Sequence, residues 1–198
     1  MNGERGTWNA ISMSKIKELL IKCGAIKSGK FTLASGKESS YYIDIKNAYT
    51  DPNVLRLLGK ELSKYVTGKK LAGMELGAVP LVVMVALELN LPFVIIRKNP
   101  KEHGTKAPVE GIIEPNDEIT IIEDVTTTGS TSMKVVDTLK SYNAVIKEVV
   151  TVVNRDEGAT ELLRENNIKF KWLVRMTSDE RRNTKYEIRD TKYEIRNT

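Results

Sequence analysis

The sequence has 198 residues, enough for one substantial hydrophobic core but too few for two ordinary domains and a linker. Its composition, 40% hydrophobic and 29% charged, is close to the globular average, which argues against a disordered or fibrous chain. The net charge of +5 is uneven, since residues 175–198 hold 7 Lys/Arg and 5 Asp/Glu, leaving 24 and 21 for the rest. Such a nearly neutral body argues against nucleic acid as a partner.

Cysteine usage and hydropathy indicate the compartment. The single cysteine, Cys23, excludes an internal disulfide, and no His/Cys cluster is available to hold zinc, so we expect a reducing compartment. No apolar run approaches the ~20 residues that span a bilayer, and the polar amino terminus lacks the apolar centre of a signal peptide. We therefore expect a cytoplasmic protein with no membrane partner.

The first predicted element is an amphipathic helix over about residues 15–23, where apolar side chains recur at helical spacing. Ser14 is its candidate cap and Gly24 its candidate stop. Residues 1–13 carry no comparable pattern, and we treat them as an amino-terminal extension.

A second helix is predicted to begin after Asp51-Pro52, a cap followed by proline in the first turn, and to end near Gly68. From there strand and helix patterns alternate. Strands are predicted near residues 71–75, 93–97, 119–124, 145–153 and 168–174, with helices near 80–89, 131–142 and 158–166. This alternation predicts an α/β fold with a mainly parallel sheet flanked by helices, which binds ligands at the carboxyl ends of its strands.

The chain ends in a tandem duplication, in which TKYEIRD at residues 184–190 is followed at once by TKYEIRN at 191–197. One short repeat with few large apolar residues is too little for a solenoid. We therefore expect a solvated tail over residues 175–198 that has no part in catalysis.

The strongest functional signal is IIEDVTTTGST at residues 121–131, an apolar strand followed by an acidic pair, a small-residue loop and a helix. The loop offers successive backbone N–H groups beside a helix amino terminus, which suits a phosphate group. Glu123 and Asp124 would repel a phosphate unless they had another task, and binding ribose hydroxyls or Mg²⁺ supplies one. A capped turn with a Ser/Thr-rich loop is the alternative without function. The nucleotide motifs GxxxxGK[ST] and GxGxxG are absent.

An acidic pair after an apolar strand, followed by V-x-T-T/A-G-S/T, resembles the motif with which type I phosphoribosyltransferases bind phosphoribosyl pyrophosphate (PRPP). The resemblance implies the type I phosphoribosyltransferase fold, which is Rossmann-like and carries a small amino-terminal hood. We accordingly predict a single domain over residues 14–174, with a hood over about 14–50 and a core over about 51–174.

Three further segments resemble the orotate branch of this family. FTLASGKESSYYIDIK at 31–46 is similar to the hood over the base, RKNPKEHGT at 97–105 to the mobile catalytic loop, and NRDEGA at 154–159 to the segment whose arginine contacts orotate. GMELGAVP at 73–80 resembles the pyrophosphate-side turn, although a plain strand-to-helix turn explains it equally well. Tyr41 and Tyr42 are candidates to stack near the base, with core packing as the alternative.

The charged residues of these segments suit the binding of pyrophosphate and of a carboxylate. The basic loop supplies fixed cations and one titratable donor for a pyrophosphate leaving group, although a merely solvated loop is the alternative. Arg155 is expected at a strand's carboxyl end, where a planar guanidinium matches the carboxylate that distinguishes orotate from uracil. A surface arginine paired with Glu157 is the alternative for that position.

The resemblance implies a role for each residue. Lys101 and Asp124 are the expected catalytic residues, and Thr127 and Arg155 are expected to contact orotate. The expected PRPP-binding residues come from the basic loop and the phosphate loop: Arg97, Lys98, Lys101, His103, Glu123, Asp124, Val125, Thr126, Thr127, Thr128, Gly129, Ser130 and Thr131. It further implies Mg²⁺ as cofactor, held mainly through substrate and water. A homodimer with shared active sites is also implied, in which the basic loop reaches the neighbouring subunit.

Two positions depart from the family pattern. Ala34 stands where many bacterial members carry a PRPP-contacting lysine, so that contact is absent or shifted to Lys37, and Ala78 stands where glycine is frequent. Two other functions stay open. One is transfer to another base, and the other is a non-catalytic PRPP-sensing regulator, which would want a helix-turn-helix or a basic face.

Overall fold

The structure is a computed structural model that describes residues 13–32, 38–98 and 108–176. Several predictions fall outside the described residues. These are the predictions for residues 1–12, for most of the tail, and for Ala34, Lys37, Lys101 and His103.

The described residues form elements in the following order: α1 (Met13–Lys22), β1 (Ile26–Thr32), β2 (Glu38–Ile43), α2 (Ile45–Ala48), α3 (Pro52–Ser63), β3 (Lys70–Met74), α4 (Val79–Leu89), β4 (Phe93–Ile96), β5 (Val109–Glu110), β6 (Glu118–Thr126), α5 (Ser130–Ser141), β7 (Val145–Asn154), α6 (Ala159–Glu165) and β8 (Lys169–Arg175).

Strands β3 to β8 form one six-stranded sheet with the order β5-β4-β3-β6-β7-β8, in which only the β4–β5 pair is antiparallel among the described residues. Their apolar runs are typical of parallel strands covered on both faces. Adjacent residues of β6 accordingly belong to two different hydrophobic clusters, one on each face of the sheet. Ile122 packs with α1, α3 and α4, whereas Ile121 packs with α5 and α6. The predicted mainly parallel α/β architecture is confirmed.

The hood segment contains a two-stranded antiparallel sheet, in which Ile26 of β1 lies opposite Ile43 of β2. Tyr41 and Ile43 are buried while Tyr42 between them is 41% exposed, the alternation expected of a strand with one covered face. Its ring lies against Phe31, with centroids 5.5 Å apart. The sequence patterns did not predict these two strands.

Helix termini follow the capping signals in part. Asp51 caps α3 by accepting a hydrogen bond from the Asn53 N–H at 2.8 Å, and Gly24 ends α1 with φ of +72°. Ser14 lies inside α1, so its prediction as the cap is wrong.

The second predicted helix is too long, because α3 ends at Ser63 rather than near Gly68. The N–H of Tyr65 donates to the Leu62 carbonyl at 3.0 Å in a three-residue turn. A Cβ on Gly68 would lie 2.7 Å from the backbone nitrogen of Thr120. The chain therefore has to leave the helix to approach β6 this closely.

Candidate active site

A cavity of about 310 Å³ opens at the carboxyl edge of the sheet, where ligands of such sheets bind. It joins side chains from the hood, from the turn after β3, from the start of the basic loop and from β6 with α5. Those that matter for its charge are Lys46, Glu75, Lys98, Glu123, Asp124 and Lys134. A volume of this size is at the lower end of that of small-molecule sites.

The predicted phosphate loop is a short connection between β6 and α5. Strand β6 continues to Thr126, two residues further than predicted, so only Thr127, Thr128 and Gly129 lie outside regular structure. Gly129 has φ of +83°, and a Cβ there would lie 3.1 Å from the Cα of Ala159. Both the conformation and the close approach therefore require glycine.

The amino terminus of α5 suits an anion. Gly129 occupies the N-cap position and offers no side chain, so the first N–H groups of this 12-residue helix have no side-chain cap there. Thr128, Ser130 and Thr131 surround this terminus with hydroxyl groups, and the Thr126 hydroxyl is buried without a hydrogen-bond partner among the described residues. Unsatisfied donors beside the positive end of a helix dipole favour a phosphate.

Glu123 and Asp124 form the acidic side of the cavity. Glu123 is buried and accepts a hydrogen bond from the Ser132 hydroxyl at 3.4 Å. Burial, and then the charge of Asp124, raise the pKa of Glu123 to about 8. Burial likewise raises the pKa of Asp124. A bound cation would favour the ionised form of both carboxyl groups.

Gly77, in the turn after β3, makes room for Asp124. A Cβ on Gly77 would lie 2.2 Å from the Oδ2 atom of Asp124, a separation that no pair of non-bonded atoms tolerates. The GMELGAVP segment thus contacts the acidic pair directly, which a plain strand-to-helix turn does not require.

The hard oxygen donors of Glu123 and Asp124 fit Mg²⁺. Among the residues that the structure describes, no group of three or more His, Cys, Asp or Glu side chains could hold a metal ion. Two carboxylate side chains supply fewer than the six ligands that Mg²⁺ prefers, so an ion held here would need further ligands.

The two described basic residues at the start of the loop, Arg97 and Lys98, have different surroundings. Lys98 lines the cavity, and its backbone N–H donates to the Glu75 carboxylate at 2.9 Å. Arg97 instead contacts Glu110 across the β4–β5 pair, with Nε and Nη2 at 2.7 and 2.5 Å from Oε1. The structure thus brings Lys98, but not the Arg97 side chain, to the cavity. Lys101 and His103 lie outside the described part of the chain.

Three residues of this site were not predicted. Lys46 of α2 and Lys134 of α5 line the cavity, and the charge of Lys46 is one of the smaller effects that lower the pKa of Asp124. Tyr49 donates its hydroxyl hydrogen to the Gly77 carbonyl at 3.0 Å. Burial, together with the charges of Asp124 and Asp44, raises the pKa of Tyr49 to about 12. A signal existed for Lys134, which is three residues beyond Thr131 and so on the same helix face.

Arg155 lies directly beside the phosphate loop, since its backbone N–H donates to the Thr126 carbonyl at 2.9 Å. Its side chain is buried. Nε donates to the Tyr41 hydroxyl at 3.2 Å, and the guanidinium carbon lies 4.9 Å from the centre of the Tyr41 ring. Nη2 lies 2.9 Å from Oε1 of Glu157. The pairing with Glu157 therefore exists, but on a buried arginine beside the phosphate loop and not on a surface one.

The two hood tyrosines differ in environment. Tyr41 is 1% exposed and belongs to the hydrophobic core, where it supports Arg155. Tyr42 points to the opposite side of its strand, against Phe31. Core packing thus accounts for Tyr41.

Comparison with known proteins places these features in a family. The family model of the phosphoribosyl transferase domain matches residues 44–181. The orotate phosphoribosyltransferase of Picrophilus torridus is 49% identical over 160 residues, which cover 81% of this chain and 96% of that enzyme. That of Thermoplasma acidophilum is 47% identical over 165 residues, 83% of this chain and 96% of the relative.

This chain belongs to the orotate phosphoribosyltransferase family. The crystal structure of orotate phosphoribosyltransferase from Aeropyrum pernix is similar in fold, with a TM-score of 0.73 and 29% identity over 81% of this chain and 93% of that one. The predicted type I phosphoribosyltransferase fold is confirmed.

The family match covers most of the elements described above. It includes the turn after β3, the phosphate loop and Arg155, and it ends before the duplicated segment at 184–197. In the part of the chain that the structure describes, no helix is both long and apolar enough to cross a membrane.

Proposed function

We infer that this protein transfers the phosphoribosyl group of PRPP to orotate, which yields orotidine 5′-monophosphate and pyrophosphate for pyrimidine biosynthesis. The observation that carries this inference is the position of Arg155. Its backbone is hydrogen-bonded to Thr126 of the phosphate loop, so a guanidinium suited to a carboxylate lies beside a terminus suited to a phosphate. Orotate carries that carboxylate, whereas uracil and the purines do not.

The reaction joins two anions, and the protein has mainly to orient them. In the proposed arrangement the N–H and hydroxyl groups of residues 126–131 bind the 5′-phosphate, and Glu123 and Asp124 bind the ribose hydroxyls. Lys98, with Lys101 and His103, stabilises the charge that develops on pyrophosphate as a ring nitrogen of orotate displaces it. Lys46 and Lys134 add positive charge at the same cavity.

We propose Mg²⁺ as the cofactor, held by Asp124 and Glu123 together with substrate and water. When bound, the ion would neutralise charge on the pyrophosphate leaving group. The raised pKa values show that burial disfavours the charged forms of both carboxyl groups in the free protein, and a bound cation would counter that effect as Glu123 gives up its proton.

Chelation tests the metal proposal. Turnover should be lost in EDTA and restored by Mg²⁺ in excess of the chelator. Full turnover after exhaustive chelation would contradict it.

We further propose a cytoplasmic homodimer in which Lys101 acts in the partner's site. Lys101→Ala and Asp124→Asn proteins should each be nearly inactive. Mixing them should restore activity, because one site of the heterodimer combines an intact Asp124 with an intact Lys101 from the other subunit. The control is each variant carried through the same exchange alone. No recovery after mass spectrometry has verified subunit exchange would contradict the shared site.

A further inference from the structure

We propose that Glu157 takes the place of the substrate carboxylate while the base site is empty, and releases Arg155 when a carboxylate-bearing base or nucleotide binds. The proposal rests on the proposed function, in which Arg155 binds the orotate carboxylate. It makes Glu157 an internal competitor that sets the affinity of the site for its charged substrate.

The first observation is the environment of Arg155. Its side chain is only 9% exposed, and a guanidinium remains charged at any physiological pH. A buried charge without a counter-charge is strongly unfavourable, so the empty site has to provide a carboxylate. Among the described residues, Glu157 provides it at 2.9 Å.

The second observation is that the arginine is held independently of Glu157. Nε donates to the hydroxyl of Tyr41, and the guanidinium lies over the ring of the same buried residue. The ion pair with Glu157 is made through Nη2. Arg155 can therefore exchange one carboxylate for another at Nη2 while the contact with Tyr41 keeps the guanidinium in place.

The third observation is that Glu157 lies in an open part of the turn. Its side chain is 28% exposed, and a Cβ on the following residue, Gly158, would meet no atom within 4 Å. The preceding carboxylate differs, because Asp156 accepts two hydrogen bonds from Arg175 at 2.8 and 3.0 Å. Asp156 is thus paired with Arg175, whereas the Glu157 side chain has space to rotate away from Arg155.

The test compares two nucleotides that differ only in the carboxylate. Orotidine 5′-monophosphate carries it and uridine 5′-monophosphate lacks it, and both present the same phosphate to the loop. The variant is Glu157→Gln, which keeps the shape and removes the charge. Glu161→Gln is the matched control, since Glu161 is exposed in the first turn of α6, just after Glu157, and the substitution removes the same charge.

Binding is measured by calorimetry, with thermal unfolding as the folding control. Glu157→Gln should tighten the binding of orotidine 5′-monophosphate about three- to tenfold, the range expected when one partly buried ion pair no longer competes, and leave the binding of uridine 5′-monophosphate unchanged. Glu161→Gln should change neither. In Glu157→Gln the KM of orotate should fall by the same factor, while the KM of PRPP stays constant.

Two results would overturn the proposal. Weaker binding of orotidine 5′-monophosphate would show that Glu157 positions Arg155 for the substrate, and unchanged binding would show that the two carboxylates do not compete.

Arg155→Ala separates this failure from failure of the proposed function. If Arg155→Ala leaves the preference for orotidine over uridine 5′-monophosphate intact, Arg155 does not bind the carboxylate at all. If that preference is lost, the proposed contact stands. Glu157→Gln should then have no further effect in the Arg155→Ala background, as expected for residues that act on one another.

Discussion

At residue 155 a buried cation, an aromatic ring and a carboxylate meet beside the phosphate loop. The guanidinium contacts the hydroxyl and the ring of Tyr41, which is 114 positions earlier in the chain. Sequence reasoning could predict that Arg155 follows a strand and suits a carboxylate. The contact between Tyr41 and Arg155 could not be predicted, because contacts between residues distant in the sequence leave no periodic pattern.

Replacing Arg155 should therefore affect one substrate. Arg155→Ala is expected to raise the KM of orotate about 30- to 1,000-fold and to change the KM of PRPP little, since a charge-assisted contact is lost from a sheltered site. Arg155→Lys should recover only part of the lost affinity for orotate, because an ammonium group lacks the planar geometry of a guanidinium. Steady-state kinetics with orotate and uracil measure both effects, and unfolding temperatures check the fold. An unchanged preference for orotate over uracil would count against the assignment.

Glu123 makes the stability of the free protein depend on pH. Its folded pKa of about 8 lies above the ordinary 4.5, so between these values the folded state keeps a proton that the unfolded state has lost. The stabilisation is full below pH 4.5, and the free energy of unfolding falls as the pH rises towards 8.

Glu123→Gln should remove this dependence while it keeps the contact with Ser132. Relative to the unmodified protein, the variant should gain about 2 °C or more in Tm at pH 8.5 and gain nothing attributable to this group at pH 4. Differential scanning calorimetry without metal measures the difference. An identical Tm difference at both pH values would refute the raised pKa of Glu123.

At the scale of elements, the parallel strands and their helices were predicted within a few residues because each carries a continuous apolar run or a clear helical period. The strands β1, β2 and β5 were missed. Strand β1 contains Lys, Ser and Gly at several positions, and β5 has only two residues, so neither presents a pattern that stands out from loop sequence.

The turn after β3 depends on a contact with the hood segment that no sequence pattern predicted. Tyr49, just after α2, donates a hydrogen bond to the Gly77 carbonyl at 3.0 Å, and Gly77 in turn abuts Asp124. The hood segment thus fixes the turn that borders the acidic pair.

Tyr49→Phe should loosen this turn without disturbing the base site. We expect the KM of PRPP to rise about two- to tenfold, the range for loss of one hydrogen bond, while the KM of orotate changes less than about twofold. Tyr142→Phe, at the far end of α5, is the matched control. Equal effects on both substrates in Tyr49→Phe would show a general loss of structure instead.

For the molecule as a whole, the described fold ends at residue 176 and the family match extends from residue 44 to residue 181. The duplicated segment at 184–197 follows β8 and the matched region. Its short repeat has too few apolar residues to add a core. That compositional argument was available from the sequence, whereas the arrangement of subunits was not.

Removing residues 183–198 should leave turnover within about twofold of that of the full chain. The comparison uses kcat and both KM values for the two proteins, with circular dichroism as a check on folding. A large loss of activity in a folded truncated protein would give the tail a role in catalysis or assembly.

The central claim is that the site transfers a phosphoribosyl group to a base that carries a carboxylate. Its most direct test is pyrophosphate release from PRPP and Mg²⁺ with orotate, uracil, adenine, guanine or hypoxanthine as the acceptor. We predict rapid release with orotate, slow release at most with uracil and none with the purines. Comparable turnover of a purine, or no release with orotate, would contradict the account.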